Sequence, residues 1–115
     1  MVPPKLTVDP IIAAARDAGR GALDEAAGKR LLAQYGIAVP RFEIATGPDD
    51  AARAFAALTP PVVVKIMSPD LLHKSDAGGV AIGLESAVAV RDAIDAMAGS
   101  PAALDRRIDG FLVEE

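Results

Sequence analysis

The stretch that most restricts the fold is Val62-Val63-Val64-Lys65-Ile66. Its β-branched side chains have restricted rotamers that suit a pleated strand and crowd a helix. The run does not alternate apolar with polar, as a strand with one wet face would. Both of its faces are therefore expected to be covered, the signature of a strand inside a layered structure. Such a strand needs neighbours in a sheet and helices across it, and the rest of the chain is expected to supply them.

Residues 1–8 carry two prolines and read as a flexible lead-in. Asp9-Pro10 opens a short helix, with Asp9 as N-cap and Pro10 at the first helical position, ending before Gly19. Asp24 can cap a second helix, with Ala27, Leu31 and Tyr35 on one face. Gly36 fits the left-handed position past its end, and Ile37 follows as the usual hydrophobic partner. Phe42 and Ile44 alternate with Glu43 as a short strand. Gly47-Pro48-Asp49-Asp50 reads as a helix start, with Ala52, Phe55 and Leu58 as the buried stripe before Pro60-Pro61. After the Val62–Ile66 strand, residues 68–79 form a polar loop and Val80 to Leu84 return as a strand. Ser86 caps a helix whose Val90, Ile94 and Met97 face inward and which Gly99 closes. Ile108 to Glu115 begins as a last strand. The order α, α, β, α, β, β, α, β predicts an α/β fold with helices packed on a small mixed β-sheet.

Hydrophobic residues make up 51% of the chain but aromatics only 3%, so Ala, Val, Leu and Ile must build the core. Small side chains bury less area each, at about 25 cal/mol per Å², so the stability margin is expected to be thin. The net charge of −4 and the scattered basic residues argue against nucleic-acid binding, which needs clustered cations. Cysteine is absent, which excludes disulfides and thiolate metal sites. No apolar run is long enough for a membrane span. Met-Val-Pro-Pro-Lys lacks an apolar secretion core, so a cytoplasmic location is the expectation.

Lys65 is the anomaly within the apolar strand. A buried ammonium is costly unless paired, so Lys65 either snorkels outward or meets an anion, for which a ligand phosphate qualifies. The loop Ser68-Pro69-Asp70-Leu71-Leu72-His73-Lys74-Ser75-Asp76-Ala77-Gly78-Gly79 follows it. Gly78-Gly79 can present successive backbone N–H groups to an anion, although hairpin turns use the same pair. Ser75 adds a hydroxyl and Lys74 a charge. His73, the single histidine, could act as a nucleophile toward phosphorus, as a base, or as a plain loop residue. One histidine without cysteine argues against zinc, and no metal ligands are assigned. Glu114 and Glu115 are either solvated carboxylates or part of a site that extends beyond them.

Taken together, three segments resemble a known family: Leu31-Leu32 with Tyr35-Gly36-Ile37-Ala38-Val39-Pro40, then Pro61 to Ile66, then Ser68 to Val80. They are similar to the ATP-grasp part of ADP-forming acetyl-CoA and acyl-CoA synthetases, and of related proteins that include acetyltransferases with a synthetase-like region. The likeness runs from about residue 9 to 115. Gly110-Phe111-Leu112-Val113-Glu114-Glu115 matches the strand that leads to the family's adenine hinge. The resemblance implies a partial ATP-grasp domain, its N-terminal lobe, over 9–115. It implies ATP or ADP as ligand, with Lys65 on the phosphates and the Ser75–Gly79 loop closing over them. Glu114 and Glu115 would lie at the adenine and ribose edge, and His73 would accept the phosphoryl group as a phosphohistidine. Such enzymes join an acid to CoA while ATP becomes ADP and phosphate, or run the reverse.

The family's Mg²⁺ ligands lie in a second lobe and have no counterpart in these residues. The CoA-binding and ligase domains, expected as partners, are also missing. The chain therefore reads as an excised piece, a truncated frame or one half of a split protein, expected not to turn over alone. Two other readings are a free-standing nucleotide-binding or regulatory module without catalysis, and another ATP-grasp ligase such as a succinyl-CoA synthetase β-chain. The Ser-Pro-Asp…His-Lys-Ser-Asp run disfavours the last, whose equivalent loop is richer in glycine and lysine.

Overall fold

A computed structural model describes residues 9–69, 78–100, 103 and 107–115. Helix α1 spans Pro10–Asp17 and α2 spans Glu25–Gln34. Strand β1 is Phe42–Ala45, and a 3-10 turn over Pro48–Asp50 leads into α3, Ala51–Ala56. Strands β2 (Val62–Met67) and β3 (Val80–Leu84) precede α4, Ala87–Ala98, and β4 is Gly110–Glu114. The expected order of elements is present.

The caps act as the sequence predicts. Asp9, Asp24 and Ser86 accept backbone N–H bonds from Ile11, Ala27 and Ala89 at 2.8, 2.7 and 3.1 Å. Each satisfies a donor that the first helical turn leaves open. Gly36 takes the left-handed conformation after α2 with φ +75°, and the Ile37 N–H donates to the Leu32 carbonyl at 3.2 Å.

The sheet order is β1-β4-β2-β3. Every pairing is antiparallel, which corrects the expected mixed sheet. β1 and β2 do run the same way, joined across α3, but β4 inserts between them and pairs antiparallel with both. β4 starts at Gly110, where φ is +149° and an added Cβ would lie 3.1 Å from Ile44 Cγ2 and 3.2 Å from the Ala45 carbonyl oxygen. Only glycine suits both that backbone and that approach.

The two faces of the sheet are covered unequally. On one face α3 and α4 bury Val62, Val64, Ile66, Phe111 and Val113 together with Ala51, Ala54, Leu58, Val90, Ile94 and Met97. The inward set predicted for α4 is therefore correct. In α3 the phase differs: Ala51, Ala54 and Leu58 are buried while Ala52 is exposed. The preceding 3-10 turn has three residues per turn, which shifts the stripe from the position an α-helical count from Pro48 predicts. On the other face α2 contributes Ala26 to a small cluster with Met67 and Leu112. The stripe expected on α2 is covered only in part: Ala27 and Leu31 are half-buried, while Tyr35 is 73% exposed.

Candidate functional site

The α2 face of the sheet is charged because of where its strands carry Lys65 and Glu114. Val63 in β2 pairs with Glu114 in β4, so Glu114 and Lys65 are diagonal neighbours on that face. Helix α2 lies over them with Glu25 and Lys29. These two are four residues apart and therefore share one helical face. Asp24 as N-cap fixes the helix start, and Glu25 sits in the first turn, where the helix dipole favours a carboxylate. Arg30, next on α2, places its guanidinium 5.7 Å from the Phe42 ring centroid and ties the helix to β1.

The four side chains form an alternating row. Lys29 Nζ lies 2.5 Å from Glu114 Oε2. Lys65 Nζ lies 3.5 Å from Glu114 Oε1 and 3.2 Å from Glu25 Oε2. Glu114 is buried, with 7% of its surface exposed, while the Lys65 and Glu25 side chains keep about a quarter of theirs, 24% and 28%. Two ammonium groups and two carboxylates leave the row formally neutral. Lys65 meets carboxylates of its own chain on both sides.

The other expected site residues are distributed differently. Gly78 has φ +74° and open space around it, and the Gly79 carbonyl accepts from the Ile66 N–H at 2.8 Å. The glycine pair thus delivers the loop back into the sheet one residue from Lys65. Glu115 turns away from Glu114, as alternation along an extended chain requires. Its carboxylate takes hydrogen bonds from Arg41 and from the Thr59 N–H. Those bonds, Arg41's first, hold its pKa below the usual carboxylate value. His73 and Ser75 lie outside the described residues.

Glu25 and Lys29 were not singled out by sequence reasoning. Their signal is the i,i+4 Glu-to-Lys spacing, ordinarily the mark of a solvated helix face. Among the described residues, no group of three or more His, Cys, Asp or Glu side chains is placed to hold a metal ion. Glu25 and Glu114 already face lysines, so this donor set does not fit Mg²⁺. A phosphate-bearing ligand suits the residues better, because Lys65 is a part-exposed cation on a strand paired on both sides. The hollow of about 300 Å³ between α1 and α2, lined by Ile11, Ala14, Ala18, Arg20 and Ala27 among others, lies apart from this row.

A family profile for the ATP-grasp domain matches residues 14–115. The chain belongs to the ATP-grasp family. Over 109 residues it is 42% identical to the trans-feruloyl-CoA synthase FCS1 of an unknown prokaryote, covering 93% of this chain and 15% of that protein. It is also 42% identical over 71 residues to the β subunit of acetate–CoA ligase [ADP-forming] I from Pyrococcus furiosus, covering 62% and 31%. Among solved structures, the Ca. Korarchaeum cryptofilum ACD1 complex with coenzyme A superposes with a TM-score of 0.85 at 34% identity, over 91% of this chain and 46% of that one. The dinucleotide-forming acetyl-coenzyme A synthetase 1 of the same organism, in complex with coenzyme A and Ca-AMPCP, gives 0.83 at 34% identity, over 91% and 47%. The ATP-grasp chain described here thus spans less than half the length of each of these relatives. No helix among the described residues is long and apolar enough to cross a membrane.

Proposed function

We propose that this ATP-grasp chain is the lobe that grips the nucleotide phosphates in an ADP-forming acyl-CoA synthetase. The complete protein would interconvert acid, CoA and ATP with acyl-CoA, ADP and phosphate. The observation that carries the reading is Lys65, a part-exposed lysine in the middle of an apolar strand and between the two carboxylates of a charged row. Such a row is a poor device for stability, since desolvating charges offsets most of what their attraction gains. Similarity to CoA ligases disfavours the free-standing module.

In this reading the bound nucleotide supplies the phosphoryl group, and the chain supplies position and charge. β2 holds Lys65 at a fixed height above the sheet, aimed at the phosphates. Gly78 and Gly79 let backbone come close without side-chain bulk. Glu114 orients Lys65 from below, and with Glu115 marks the adenine and ribose edge. Ser75 adds a donor from the loop, and His73 there is the proposed phosphoryl acceptor, carrying the group as phosphohistidine toward the CoA-binding and ligase domains. Phosphoryl transfer depends mainly on such positioning and charge neutralisation. Mg²⁺ would come with ligands from outside this chain. A cytoplasmic location belongs to the same reading.

The test is calorimetric titration of ATP into the purified chain and its Lys65→Ala variant. The wild type is expected to bind on about the mM scale. Lys65→Ala is expected to weaken that by about tenfold through loss of a charged hydrogen bond, with Lys65→Arg rescuing only in part. Identical curves for wild type and Lys65→Ala would end this reading.

A further inference from the structure

We infer that the cleft between α1 and α2 is a second ligand site, built for a small monocarboxylic acid whose apolar body lodges between the helices and whose carboxylate meets Arg30. The inference is independent of the nucleotide reading. Helix α2 turns Glu25 and Lys29 to the sheet, and Asp24, Ala27 and Arg30 to the cleft.

The cleft has a volume of about 300 Å³, at the small end of the range that ligand pockets occupy. Its walls are apolar. Ile11, Ala14 and Ala18 recur at helical spacing along α1, and Ala27 joins them from α2. Alanine ends at Cβ, so these positions leave open a space that longer side chains would close, and Ala14 and Ala18 are exposed. Helix α1 has eight residues, none of them fully buried. A helix that short is marginal in water and depends on what packs against it. An apolar body in the cleft supplies such packing.

The charges at the rim select the head group. Arg20 is satisfied within the chain, donating to both oxygens of Asp109 at 2.8 and 3.1 Å. Asp24 accepts from the Ala27 N–H as the cap of α2. Arg30 differs from both. Its exposed guanidinium lies 5.7 Å from the Phe42 ring centroid and meets no carboxylate among the described residues. A guanidinium over an aromatic ring keeps its in-plane N–H donors, and that fork matches the two oxygens of a carboxylate. One uncommitted cation beside the Asp24 carboxylate suits a single negative charge, which favours a monocarboxylate over a polyphosphate.

The experiment titrates 3-phenylpropionate into the isotope-labelled chain by NMR, with 3-phenylpropan-1-ol as the neutral molecule of the same body. The acid is expected to shift the amide signals of Ile11, Ala14, Ala18 and Ala27 along one saturable curve on about the mM scale. The alcohol on the wild type, and the acid on Arg30→Gln, should each bind about fivefold more weakly, as fits the loss of an exposed charge pair. Ala14→Leu fills the cleft from an exposed position and should abolish the shifts while the rest of the spectrum stays in place. Shifts that do not saturate, equal binding of acid and alcohol, or undiminished binding by Ala14→Leu overturns the inference. If Arg30→Gln does not fold, the wild type decides through salt: added salt should bring the acid down to the affinity of the alcohol, and an acid whose binding ignores salt overturns the inference.

Discussion

The face of the sheet under α3 and α4 and the face under α2 are made by the same four strands, yet they are filled with different chemistry. The first buries Ile66, Ile94, Phe111, Val113 and Met97 against one another, with almost no polar atom among them. The second has a three-residue apolar cluster, Ala26, Met67 and Leu112, and beside it the row Lys29–Glu114–Lys65–Glu25. Apolar burial stabilises in proportion to area, whereas part-buried ion pairs nearly cancel. The contrast puts the apolar packing that holds the fold on one side of the sheet and the residues of the proposed nucleotide contact on the other. Because β2 and β4 carry residues to both faces, the packed side fixes the height and direction of the charged side.

The comparison breaks first if the packed face can be cut without a large loss of stability. Ile94→Ala removes a fully buried side chain from α4 and is expected to cost about 3 kcal/mol in urea unfolding. ATP affinity should be unchanged wherever the protein remains folded. A loss well below 1 kcal/mol would show that α4 is not the main source of stability.

On the charged face, Glu114→Ala leaves Lys29 and Lys65 facing each other without their shared carboxylate. The expected loss is about 2 kcal/mol, less than for a fully buried pair because both lysines keep some solvent. Adding Lys65→Met to Glu114→Ala should recover part of that loss, and a double-mutant cycle measures the coupling. Additive losses would mean that the row is not a unit.

The smallest effect lies outside both faces and calibrates them. Asp50, in the turn before α3, receives hydrogen bonds from Arg53 and from the Thr46 N–H, which lower its pKa to about 2. A carboxyl whose folded pKa is depressed contributes stability above its ordinary value of about 3.9, and loses it as pH falls toward 2. Carboxyl NMR titration should show that low value, and Arg53→Ala should return it most of the way to the ordinary one. The Arg53–Asp50 pair lies near the surface, with 53% and 23% of the side chains in solvent, so screening keeps the change in thermal stability at neutral pH small.

The packed face was legible in the sequence because its rules are local. Ser86 caps where a side-chain oxygen precedes a helical run, and Val90, Ile94 and Met97 repeat at helical spacing. The phase of α3 was not legible, because nothing in Pro48-Asp49-Asp50 distinguishes a 3-10 turn from an α-helical one. Nor was the antiparallel sheet, since which strand inserts between β1 and β2 depends on pairing over some fifty residues of separation. At the site, Lys65 stood out as a charge in an apolar strand. Its partners did not, because Glu25 and Lys29 sit on a helix where such pairs usually face water. A search for apolar periodicity instead selected Tyr35, which the structure leaves in solvent.

The placement of β4 also bears on how the chain reaches its fold. β1 and β2 share no ladder, and each bonds to β4, which is made last. During synthesis the hairpin of β2 and β3 can form early, while β1 waits with an open edge until residues 110–114 emerge. Sheet closure is therefore a late, long-range event, the kind that slows folding and lengthens the exposure of unpaired strands. Substitutions in β4 should accordingly act on the folding rate, and chaperone demand should concentrate in the interval before that strand leaves the ribosome.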